Sequence, residues 1–358
     1  MTRLARLRQK LTDNYLDALI IGNPDNIYYL TGIELTAGDG YLLVTDQLAV
    51  IITDERYRDY LAHFNSDAVM GVITRDYVGK LVELTTKIEL SEVGFENTLT
   101  YREFEELDDR MEVGIVPADR IVEKMRRIKE TSEIDLIRVA GKLHAEAFAA
   151  VCDWIRPGVT ERQVANYLDQ WMKSHGASGE SFPTIVASGP HSAQPHATVS
   201  ERVIEVGDVV TLDYGYFVNH YTADFTRTIV MGQPTAQQRT VYQLLQQARQ
   251  AVLDQLMVGI TGHDLDRAGR QVIEAAGFGE NFNHGMGHGI GLSVHEFPAS
   301  YAPGSKRLKM RHHEVLTIEP GIYLAGEFGM RLEDDVVLTH QGVEVLTPAP
   351  TELVSVCE

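Results

Sequence analysis

Five side chains that can bind divalent cations interrupt apolar segments of the sequence. Asp213 and Asp224 lie in DYGYFVNHYTADFTR, whose other residues are typical of a buried hairpin. The others are His288 in GMGHGIGLSVHE, Glu319 in LTIEPGIY and Glu333 in MRLEDD. An isolated ionised carboxylate is very costly to bury unless it is paired or bound to a metal. Four carboxylates and one imidazole together therefore indicate a site for two divalent ions such as Mn²⁺.

Each of these residues has an ordinary explanation when it is considered alone. A single aspartate in a strand is more often exposed, or hydrogen-bonded in a turn, than bound to a metal. The set as a whole favours the metal site. Asp213 and Asp224 are eleven residues apart, a separation that predicts opposed positions on a tight hairpin. The glycines around His288 allow the backbone to approach a ligand closely.

The elements that must hold these side chains belong to the second part of a two-domain chain. At 358 residues the chain exceeds the size at which one core usually stops growing. Residues 1–116 alternate short apolar segments with helical patterns, which indicates a small α/β domain. A charged stretch that begins at Pro117 marks a change of pattern. We therefore predict domains at residues 1–120 and 121–358.

The second domain is predicted to be α+β. A long amphipathic helix is expected first, with Ser132 and Asp135 as its capping pair and its end before Pro157. Further helices are predicted at about 160–175, 235–257 and 262–276. The segments EVLTIEPGIYL and MRLEDDVVLT are each predicted as one strand. Helix pairs followed by strands indicate a duplicated half, with a mainly antiparallel sheet covered by helices on one face.

Composition and charge argue against several classes of protein. The chain is 44% hydrophobic and 23% charged, which is typical of an ordered globular protein. A formal net charge of −19 repels phosphate backbones and anionic lipid, so neither nucleic acid nor a membrane is an expected partner. No apolar segment reaches the ~18 residues of a membrane span. Cys152 and Cys357 are the only cysteines, which excludes a disulfide framework and fits the cytoplasm.

The five residues, in this order and of these types, resemble the metal ligands of the pita-bread metallopeptidases, which include prolidase, aminopeptidase P and methionine aminopeptidase. The segments SGPHSAQPH, GHGIGLSVHE, EPGIY and RLEDD carry the resemblance, which covers about residues 120–358. The N-terminal domain resembles the creatinase-like domain of the proline-specific members, most clearly at NPDNIYYLTG (23–32). Typical methionine aminopeptidases lack this domain, so the proline-specific branch is favoured.

The resemblance implies a fold, a reaction and a role for each of the five residues. The second domain would have the pita-bread fold, whose mainly antiparallel sheet has pseudo-twofold symmetry. The expected reaction is hydrolysis of the peptide bond before proline, by attack of a hydroxide that bridges two metal ions. Asp213 would bind one metal, His288 the other, and Asp224 and Glu333 both. Glu319 would complete the ligand set, accept the proton of the water and later donate one to the proline nitrogen.

Five further residues match family positions near the metals or in the substrate pocket. His196 and His295 would contact the substrate or the tetrahedral intermediate, where donors aimed at the developing oxyanion stabilise it. His284, Tyr323 and Arg331 would line the pocket or support the ligands. Each of the first two histidines can also be an ordinary surface or helix-capping residue. Arg331 either pairs with a ligand carboxylate or forms an ordinary cross-strand ion pair.

The leading hypothesis is an Xaa-Pro dipeptidase that acts on proline-containing dipeptides or short peptides. The near alternative is aminopeptidase P, which removes the first residue of longer Xaa-Pro peptides, because the sequence does not show how the far end of the cleft is closed. A non-catalytic peptide-binding relative would be expected to lack ligands, and all five are present. Creatine amidinohydrolase shares the two-domain layout but works without metals and lacks the full ligand set.

The cofactor and the assembly are also implied only by the resemblance. Two divalent ions per chain are expected, and manganese is the usual choice in the family. Cobalt and zinc are alternatives because the ligand set does not select strongly among such ions. The resemblance further implies a homodimer.

Overall fold

The first of the two units of the chain, Met1–Met125, is built around a six-stranded sheet. The computed structural model describes residues 1–64, 68–302 and 308–357. The strands are β1 (Ala18–Ile21), β2 (Gly40–Thr45), β3 (Ala49–Thr53), β4 (Met70–Ile73), β5 (Glu92–Glu96) and β6 (Gly114–Ala118). The helices are α1 (Arg3–Asp13), α2 (Pro24–Thr31), α3 (Arg58–His63), α4 (Tyr77–Lys87), α5 (Tyr101–Arg110) and α6 (Ile121–Arg126).

This first sheet is mixed and has the order β4-β3-β2-β1-β5-β6. Strand β2 pairs with β1 and β3 in antiparallel fashion, whereas β1–β5, β5–β6 and β3–β4 are parallel. Every residue of β1, β2 and β3 is buried, as expected for central strands covered on both faces. The α/β class predicted for the N-terminal domain is confirmed.

The second unit, Arg126–Glu358, alternates helix pairs with antiparallel strands. Its helices are α7 (Thr131–Trp154), α8 (Glu161–Ser174), α9 (Ala236–Gln255) and α10 (Gly262–Ala275). Its strands are β7 (Gly179–Glu180), β8 (Ile185–Ser188), β9 (Val209–Val218), β10 (Tyr221–Met231), β11 (Gly287–Gly289), β12 (Glu296–Tyr301), β13 (Val315–Ile318), β14 (Gly321–Leu324), β15 (Phe328–Arg331), β16 (Asp334–Thr339), β17 (Gly342–Val345) and β18 (Val354–Val356).

The described residues of this unit form two five-stranded sheets and one two-stranded sheet. One sheet runs β18-β10-β9-β7, with β8 also on β9, and the other runs β12-β11-β13-β16-β17. Strands β14 and β15 form the third. Among the described strand pairs of the unit, β10–β18 is parallel and the others are antiparallel. The predicted α+β class with mainly antiparallel sheets is confirmed.

The unit has two apolar cores, one for each helix pair. Side chains of α7 and α8, including Phe148 and Leu168, pack with Leu212 and Phe225 of the β9–β10 hairpin. Side chains of α9 and α10 pack with residues of β13, β14, β15 and β16. Each helix pair therefore supports the back of a sheet whose strands carry predicted metal ligands.

The β9–β10 hairpin places Asp213 and Asp224 on the same face but not directly opposite each other. Its turn is Asn219–His220, and both residues have positive φ, 50° and 70°, as in the two-residue turns that match the twist of a hairpin. In the resulting register Asp213 faces Thr226 and Asp224 faces Gly215. The prediction of opposed positions was therefore wrong by two residues. An offset of two leaves both aspartates on one face.

Three helices begin close to the predicted positions of about 160, 235 and 262, whereas the capping pair predicted for the first helix of the unit is not the one found. Helix α7 begins with a reciprocal pair of hydrogen bonds between Glu130 and Glu133, so the prediction of Ser132 and Asp135 as the capping pair was wrong. The other three helices of the unit have a threonine N-cap whose side chain accepts a backbone N–H: Thr160, Thr235 and Thr261. These caps fix where the helices begin.

Two segments that were predicted as single strands are each broken at a glutamate. Strand β13 ends at Ile318 and β14 begins at Gly321, with Glu319 and Pro320 between them. Strand β15 ends at Arg331 and β16 begins at Asp334. Pro320 has no N–H to continue a ladder, and the N–H of Glu333 donates to Thr226 O of β10 instead. Because of the two breaks, Glu319 and Glu333 lie outside the regular alternation of side chains along a strand.

Among the described residues, none of the helices is both long enough and apolar enough to span a membrane.

Candidate metal centre

Nine of the ten predicted site residues line one cleft in the second unit, which has a volume of about 840 Å³. The tenth, Tyr323, is hydrogen-bonded to two of the nine. Residues up to 137 positions apart in sequence, His196 and Glu333, are thus brought to one cleft, to which the β9–β10 hairpin, the strand β11 and the two strand breaks all contribute. The nine lining residues are His196, Asp213, Asp224, His284, His288, His295, Glu319, Arg331 and Glu333.

Asp224, His288 and Glu333 form the centre of this group. Each is buried, and one ligand atom from each lies within 4.8 Å of the other two. His288 Nε2 is 3.5 Å from Asp224 Oδ2 and 3.8 Å from Glu319 Oε1. The side chain of Glu319 is 20% exposed and so faces the cleft. The four residues come from β10, β11 and the two strand breaks.

Asp213, Glu319 and Glu333 hold their protons more tightly than ordinary carboxyl groups, because the pKa of each is raised. Burial is the main cause for Asp213, and together with the charge of Asp224 it raises the pKa of Asp213 to about 6. Burial also raises the pKa of Glu319 to about 7. The pKa of Glu333 is raised well above its usual value by burial and by the charges of Asp224 and Glu319. Additional positive charge in the cluster would therefore be strongly favourable.

The pKa of His288 is also raised, but by its acidic neighbours and not by burial. Burial lowers the pKa of its imidazole, but the hydrogen bond to Asp224 and the charges of Glu319 and Asp224 outweigh burial and raise the pKa to about 9. Its Nδ1 is 3.0 Å from Gly289 O and its backbone N–H donates to Thr317 Oγ1 at 3.1 Å. These contacts direct Nε2 towards the carboxylates.

The donor set fits divalent cations. The buried Asp213 Oδ1 and Asp224 Oδ1 have no hydrogen-bond partner among the described residues, although buried polar atoms are normally satisfied. Hard carboxylate oxygens and one imidazole suit Mn²⁺-type ions. A buried carboxylate oxygen without a hydrogen-bond partner is available to bind a cation, and both aspartates have one.

Arg331 connects Asp213 to Tyr323. The Nη2 group of this buried arginine forms an ion pair with Asp213 Oδ2. Its Nη1 group donates to Tyr323 Oη at 2.7 Å, and its Nε donates to Thr226 Oγ1 at 3.2 Å. Arg331 therefore pairs with Asp213, which is one of the predicted ligands, and Glu333, two residues away, is not its ion-pair partner among the described contacts.

The hydrogen bonds of His284 define its protonation. Tyr323 Oη accepts from Arg331, so its own proton is available to His284 Nε2, 2.9 Å away. His284 Nδ1 lies 2.8 Å from Gly285 O and must then carry the ring proton. Burial and the charge of Arg331 lower the pKa of His284 to about 3. His284 is thus a neutral imidazole at physiological pH.

His196 and His295 lie at the exposed side of the cleft. The ring of His295 is 4.3 Å from the ring of His288, in an edge-to-face arrangement. Burial and the charge of His288 lower the pKa of His295. His196 belongs to the loop between β8 and β9, and the neighbouring Pro195 O accepts from Arg331 Nη1 at 3.3 Å. Both histidines are accessible from the cleft, as a substrate contact requires.

Two residues of the cluster escaped the sequence analysis. Thr226 Oγ1 donates to Glu333 Oε2 at 2.6 Å. Asp335 Oδ2 accepts the backbone N–H of Asp224 at 3.0 Å, and Asp335 is completely buried. Strand alternation gives a signal for Thr226, which lies two residues from Asp224 and so on the same face. Asp335 sits in the acidic run LEDD, where the type of residue alone does not distinguish it from Asp334.

Comparison with known proteins identifies the family. The model of metallopeptidase family M24 matches residues 135–340, and that of the creatinase/prolidase N-terminal domain matches residues 3–128. An Xaa-Pro dipeptidase of Pyrococcus horikoshii is 34% identical over 353 residues, 98% of this chain and 98% of that protein.

Solved structures agree over the whole length. An Xaa-Pro dipeptidase from Bacillus anthracis matches with a TM-score of 0.93 at 35% identity, covering 99% of each chain. An X-Pro aminopeptidase from Thermotoga maritima matches with a TM-score of 0.90 at 33% identity, covering 99% of this chain and 100% of that one. The family predicted from the sequence is confirmed: the chain belongs to metallopeptidase family M24 and has a creatinase/prolidase N-terminal domain.

Proposed function

We propose that this protein is an Xaa-Pro dipeptidase that hydrolyses the bond before proline with the help of two divalent ions. Residues 1–120 would form the creatinase-like domain and residues 121–358 the catalytic domain. The single observation that carries the proposal is the buried group of Asp224, His288 and Glu333, whose ligand atoms lie within 4.8 Å of one another. The Xaa-Pro dipeptidase of Pyrococcus horikoshii, 34% identical, supports the choice of substrate.

Five side chains would hold the two ions. Asp213 would bind one ion and His288 the other, while Asp224 and Glu333 would contact both and Glu319 would complete the set. The orphaned Oδ1 atoms of the two aspartates and the raised pKa of Asp213, about 6, support this assignment. Because ligands must be deprotonated to bind a metal, ion binding would release protons from this group.

Glu319 would move the proton during hydrolysis. The bound ions supply a polarised scissile carbonyl and a water of lowered pKa. Glu319 faces the cleft beside His288 and His284, at 3.8 Å from each. It would accept the proton of the attacking water and donate one to the departing proline nitrogen. A carboxylate that faces the cleft at this place is within reach of both groups, so one residue could serve both steps.

The remaining residues would orient the substrate and stabilise developing charge. His196 and His295 are exposed to the cleft and would donate to the carbonyl oxygen or contact the peptide. His284, Tyr323 and Arg331 would act together, because Arg331 fixes the Tyr323 hydroxyl and this hydroxyl fixes His284. A neutral, fixed imidazole beside Glu319 would limit the positions that the substrate can adopt.

The second candidate function is removal of the first residue from longer peptides of the Xaa-Pro type. The likeness to the X-Pro aminopeptidase of Thermotoga maritima, 33% identical with a TM-score of 0.90, favours it. So does the cleft of about 840 Å³, which extends from the metal ligands to Arg162, Asp169 and Lys173 of α8.

The experiment that tests the proposal measures proline release. Protein stripped with a chelator is assayed on Ala-Pro and a small panel of Xaa-Pro dipeptides, with and without Mn²⁺, and then on Xaa-Pro-Pro tripeptides. We expect Mn²⁺-dependent release of free proline from the dipeptides. Cleavage of the tripeptides alone would establish the aminopeptidase instead, and turnover without any divalent ion would overturn the metal assignment.

We also propose that the ions are Mn²⁺, that the protein is a homodimer and that it acts in the cytoplasm. The oxygen-rich donor set supports Mn²⁺, with Co²⁺ or Zn²⁺ as alternatives. The two cysteines are free, which suits a reducing compartment. Metal analysis of the purified protein tests the first point, and light scattering in solution tests the second.

A further inference from the structure

The loop that carries His196 is closed at its base by one buried glutamate. This loop, residues 189–199, leaves β8 at Ser188 and returns to Ser200 before β9 begins. Glu161, the first residue of α8, lies between the two ends and is completely buried, with an exposed fraction of 0%. Glu161 is not among the functional residues predicted from the sequence.

Glu161 accepts five hydrogen bonds from three positions of the loop and its ends. Its Oε1 accepts from the backbone N–H and the hydroxyl of Ser188, both at 2.8 Å. Its Oε2 accepts from the backbone N–H of Ser200 at 3.2 Å and from the hydroxyl of Ser200 at 2.6 Å. His191 Nδ1 lies 2.9 Å from Oε2 and 3.0 Å from Oε1. Each carboxylate oxygen therefore holds one end of the loop.

The other contacts of the loop fix its tip to the cleft. Ser192 Oγ accepts the backbone N–H of Gly329 at 2.9 Å, and Pro195 O accepts from Arg331 Nη1 at 3.3 Å. His196 follows directly and lines the cleft. The position of this imidazole thus depends on anchoring at the base by Glu161 and at the tip by Arg331.

We propose that Glu161 is a positioning residue for His196. It does not line the cleft and acts by holding both ends of the loop at a fixed separation. The proposal rests on the proposed function, since His196 matters only if the cleft hydrolyses peptides. A group that must be aligned with a reacting carbonyl is sensitive to small displacements, which can lower the rate by up to about 100-fold.

The arrangement requires a carboxylate. A glutamine side chain has only one acceptor oxygen. Its NH₂ group would therefore face a backbone N–H at one end of the loop, and two donors cannot form a hydrogen bond with each other. Aspartate is shorter by one methylene and would not reach both ends. Glu161→Gln therefore preserves size and burial while it releases one end of the loop.

The test is a double-mutant cycle in the metal-loaded full-length protein. Glu161→Gln, His196→Ala and the double variant are assayed for proline release from an Xaa-Pro dipeptide. We expect Glu161→Gln to lower kcat about 10- to 100-fold with little change in KM and with the metal content retained. In the His196→Ala background the same substitution should change kcat less than about 2-fold, because the residue it positions is absent.

Glu201→Gln is the matched control. Glu201 lies beside Ser200, its side chain is 73% exposed and it pairs with Arg162, so the variant should keep wild-type kcat. Wild-type kcat in Glu161→Gln, or an equal loss with and without His196, would overturn the proposal. If Glu161→Gln does not fold, Ser200→Ala removes one of the five donors and should show the same dependence on His196 with a smaller loss.

Amide hydrogen exchange separates this proposal from the proposed function. Exchange of residues 189–199 should accelerate in Glu161→Gln and stay unchanged in Glu201→Gln. If the wild-type protein releases no proline with any divalent ion, the proposed function fails while the anchoring is still judged by exchange. Unchanged exchange in Glu161→Gln would refute the anchoring itself, whatever the activity.

Discussion

Asp224 contacts both His288 and Asp335 in the proposed metal cluster. Its Oδ2 lies 3.5 Å from His288 Nε2, and its backbone N–H donates to Asp335 at 3.0 Å. Asp224→Asn removes one charge and keeps the shape and the backbone contact. We expect proline release to fall by more than about 100-fold, because a change to an outer partner of a metal site already costs about 10- to 100-fold. Turnover and metal content per chain are the measurements.

Asp153→Asn serves as the control for this substitution. Asp153 is exposed on α7, so the same chemical change there should alter neither turnover nor metal content. Circular dichroism of both variants should match the wild type, because the hairpin register depends on backbone pairing. Wild-type turnover in Asp224→Asn would contradict the assignment of this residue as a shared ligand.

A substitution of Tyr323 tests the hydrogen bonds that connect Arg331, Tyr323 and His284. Tyr323→Phe removes the hydroxyl between Arg331 and His284, so one N–H of the buried Arg331 and Nε2 of the half-buried His284 each lose a hydrogen-bond partner. Such a loss costs about 1–3 kcal/mol, so we expect kcat to fall about 10-fold or more. The two-ion content should be retained, because the ligands themselves are unchanged. Steady-state kinetics with metal analysis checks both statements.

Tyr242→Phe is the matched control for that prediction. Tyr242 is buried in α9, and its hydroxyl has no hydrogen-bond partner among the described residues. The same loss of a hydroxyl there should leave kcat unchanged. Equal effects of the two substitutions would mean that the Tyr323 hydroxyl has no particular role in the cleft.

At the scale of elements, His144 joins helix α7 to the strand that carries Asp213. It is completely buried, its Nδ1 is 2.7 Å from Ala140 O, and its Nε2 accepts the backbone N–H of Tyr216 at 2.9 Å. Its ring stacks on Tyr214 at 5.4 Å. The imidazole must be neutral to accept this bond, and burial lowers its pKa to about 4.

This depressed pKa predicts a pH-dependent contribution to stability. The neutral imidazole stabilises the fold fully above about pH 6.5, its usual pKa, and this contribution is lost as the pH falls towards 4, where the folded group titrates. Glutamine at this position does not titrate. Between pH 7 and 5 the advantage of the wild type over His144→Gln should shrink by about 2 kcal/mol. Chemical unfolding followed by fluorescence measures it.

The fluorescence signal reports on unfolding of the second unit, which contains His144. Both tryptophans of the chain, Trp154 and Trp171, lie in helices α7 and α8 of the second unit. The other titrating groups are common to both proteins and cancel in the difference. A difference that stays constant or widens towards acid would show that His144 is not held neutral.

The elements also show what the sequence can and cannot predict. The threonine caps Thr160 and Thr235 and the positions of the second-unit helices are local features, so they were predictable. The offset of Asp213 from Asp224 depends on the turn at Asn219–His220, which selects the register. The breaks at Glu319 and Glu333 depend on contacts with distant strands, such as Glu333 N to Thr226 O. The alternation of apolar and polar residues within one segment does not show which distant strand the segment will contact.

The same distinction applies to the site. Residue types and their order indicated the ligand cluster, because buried acids are unusual wherever they occur. Glu161 was not recognised because its partners Ser188 and Ser200 lie 27 and 39 residues away, and a glutamate at the start of a helix is ordinary. The role of a residue that anchors a loop can be recognised only from the folded structure, because its partners are distant in sequence.

At the scale of the whole molecule, the protein has a formal net charge of −19 and concentrates several acids in one buried cluster. Among them are Asp213, Glu319 and Glu333, all with raised pKa values. Such a cluster opposes folding when it is ionised and uncompensated. Divalent ions that bind the folded state but not the unfolded chain would offset this repulsion and stabilise the protein.

The sign of the effect follows from the direction of these shifts. A carboxyl group whose pKa is raised by folding favours the folded state below its ordinary pKa, near 4, and loses that contribution as the pH rises through the folded value. For Asp213 and Glu319 these values are about 6 and about 7. The pKa of His288 is raised to about 9, so this group loses its contribution at still higher pH. Metal-free protein should therefore become less stable between pH 5 and pH 8 relative to the metal-loaded form.

We therefore expect the increase in Tm caused by saturating Mn²⁺ to grow from pH 5.5 to pH 8, because ion binding replaces protons in the cluster. Differential scanning calorimetry of chelator-treated protein, with and without Mn²⁺, measures the increase at each pH. Asp224→Asn is the control and should show a small increase at every pH, since one of the shared ligands has lost its charge. An increase in Tm that is independent of pH, or that is largest in acid, would contradict binding of the ions to the buried carboxylates.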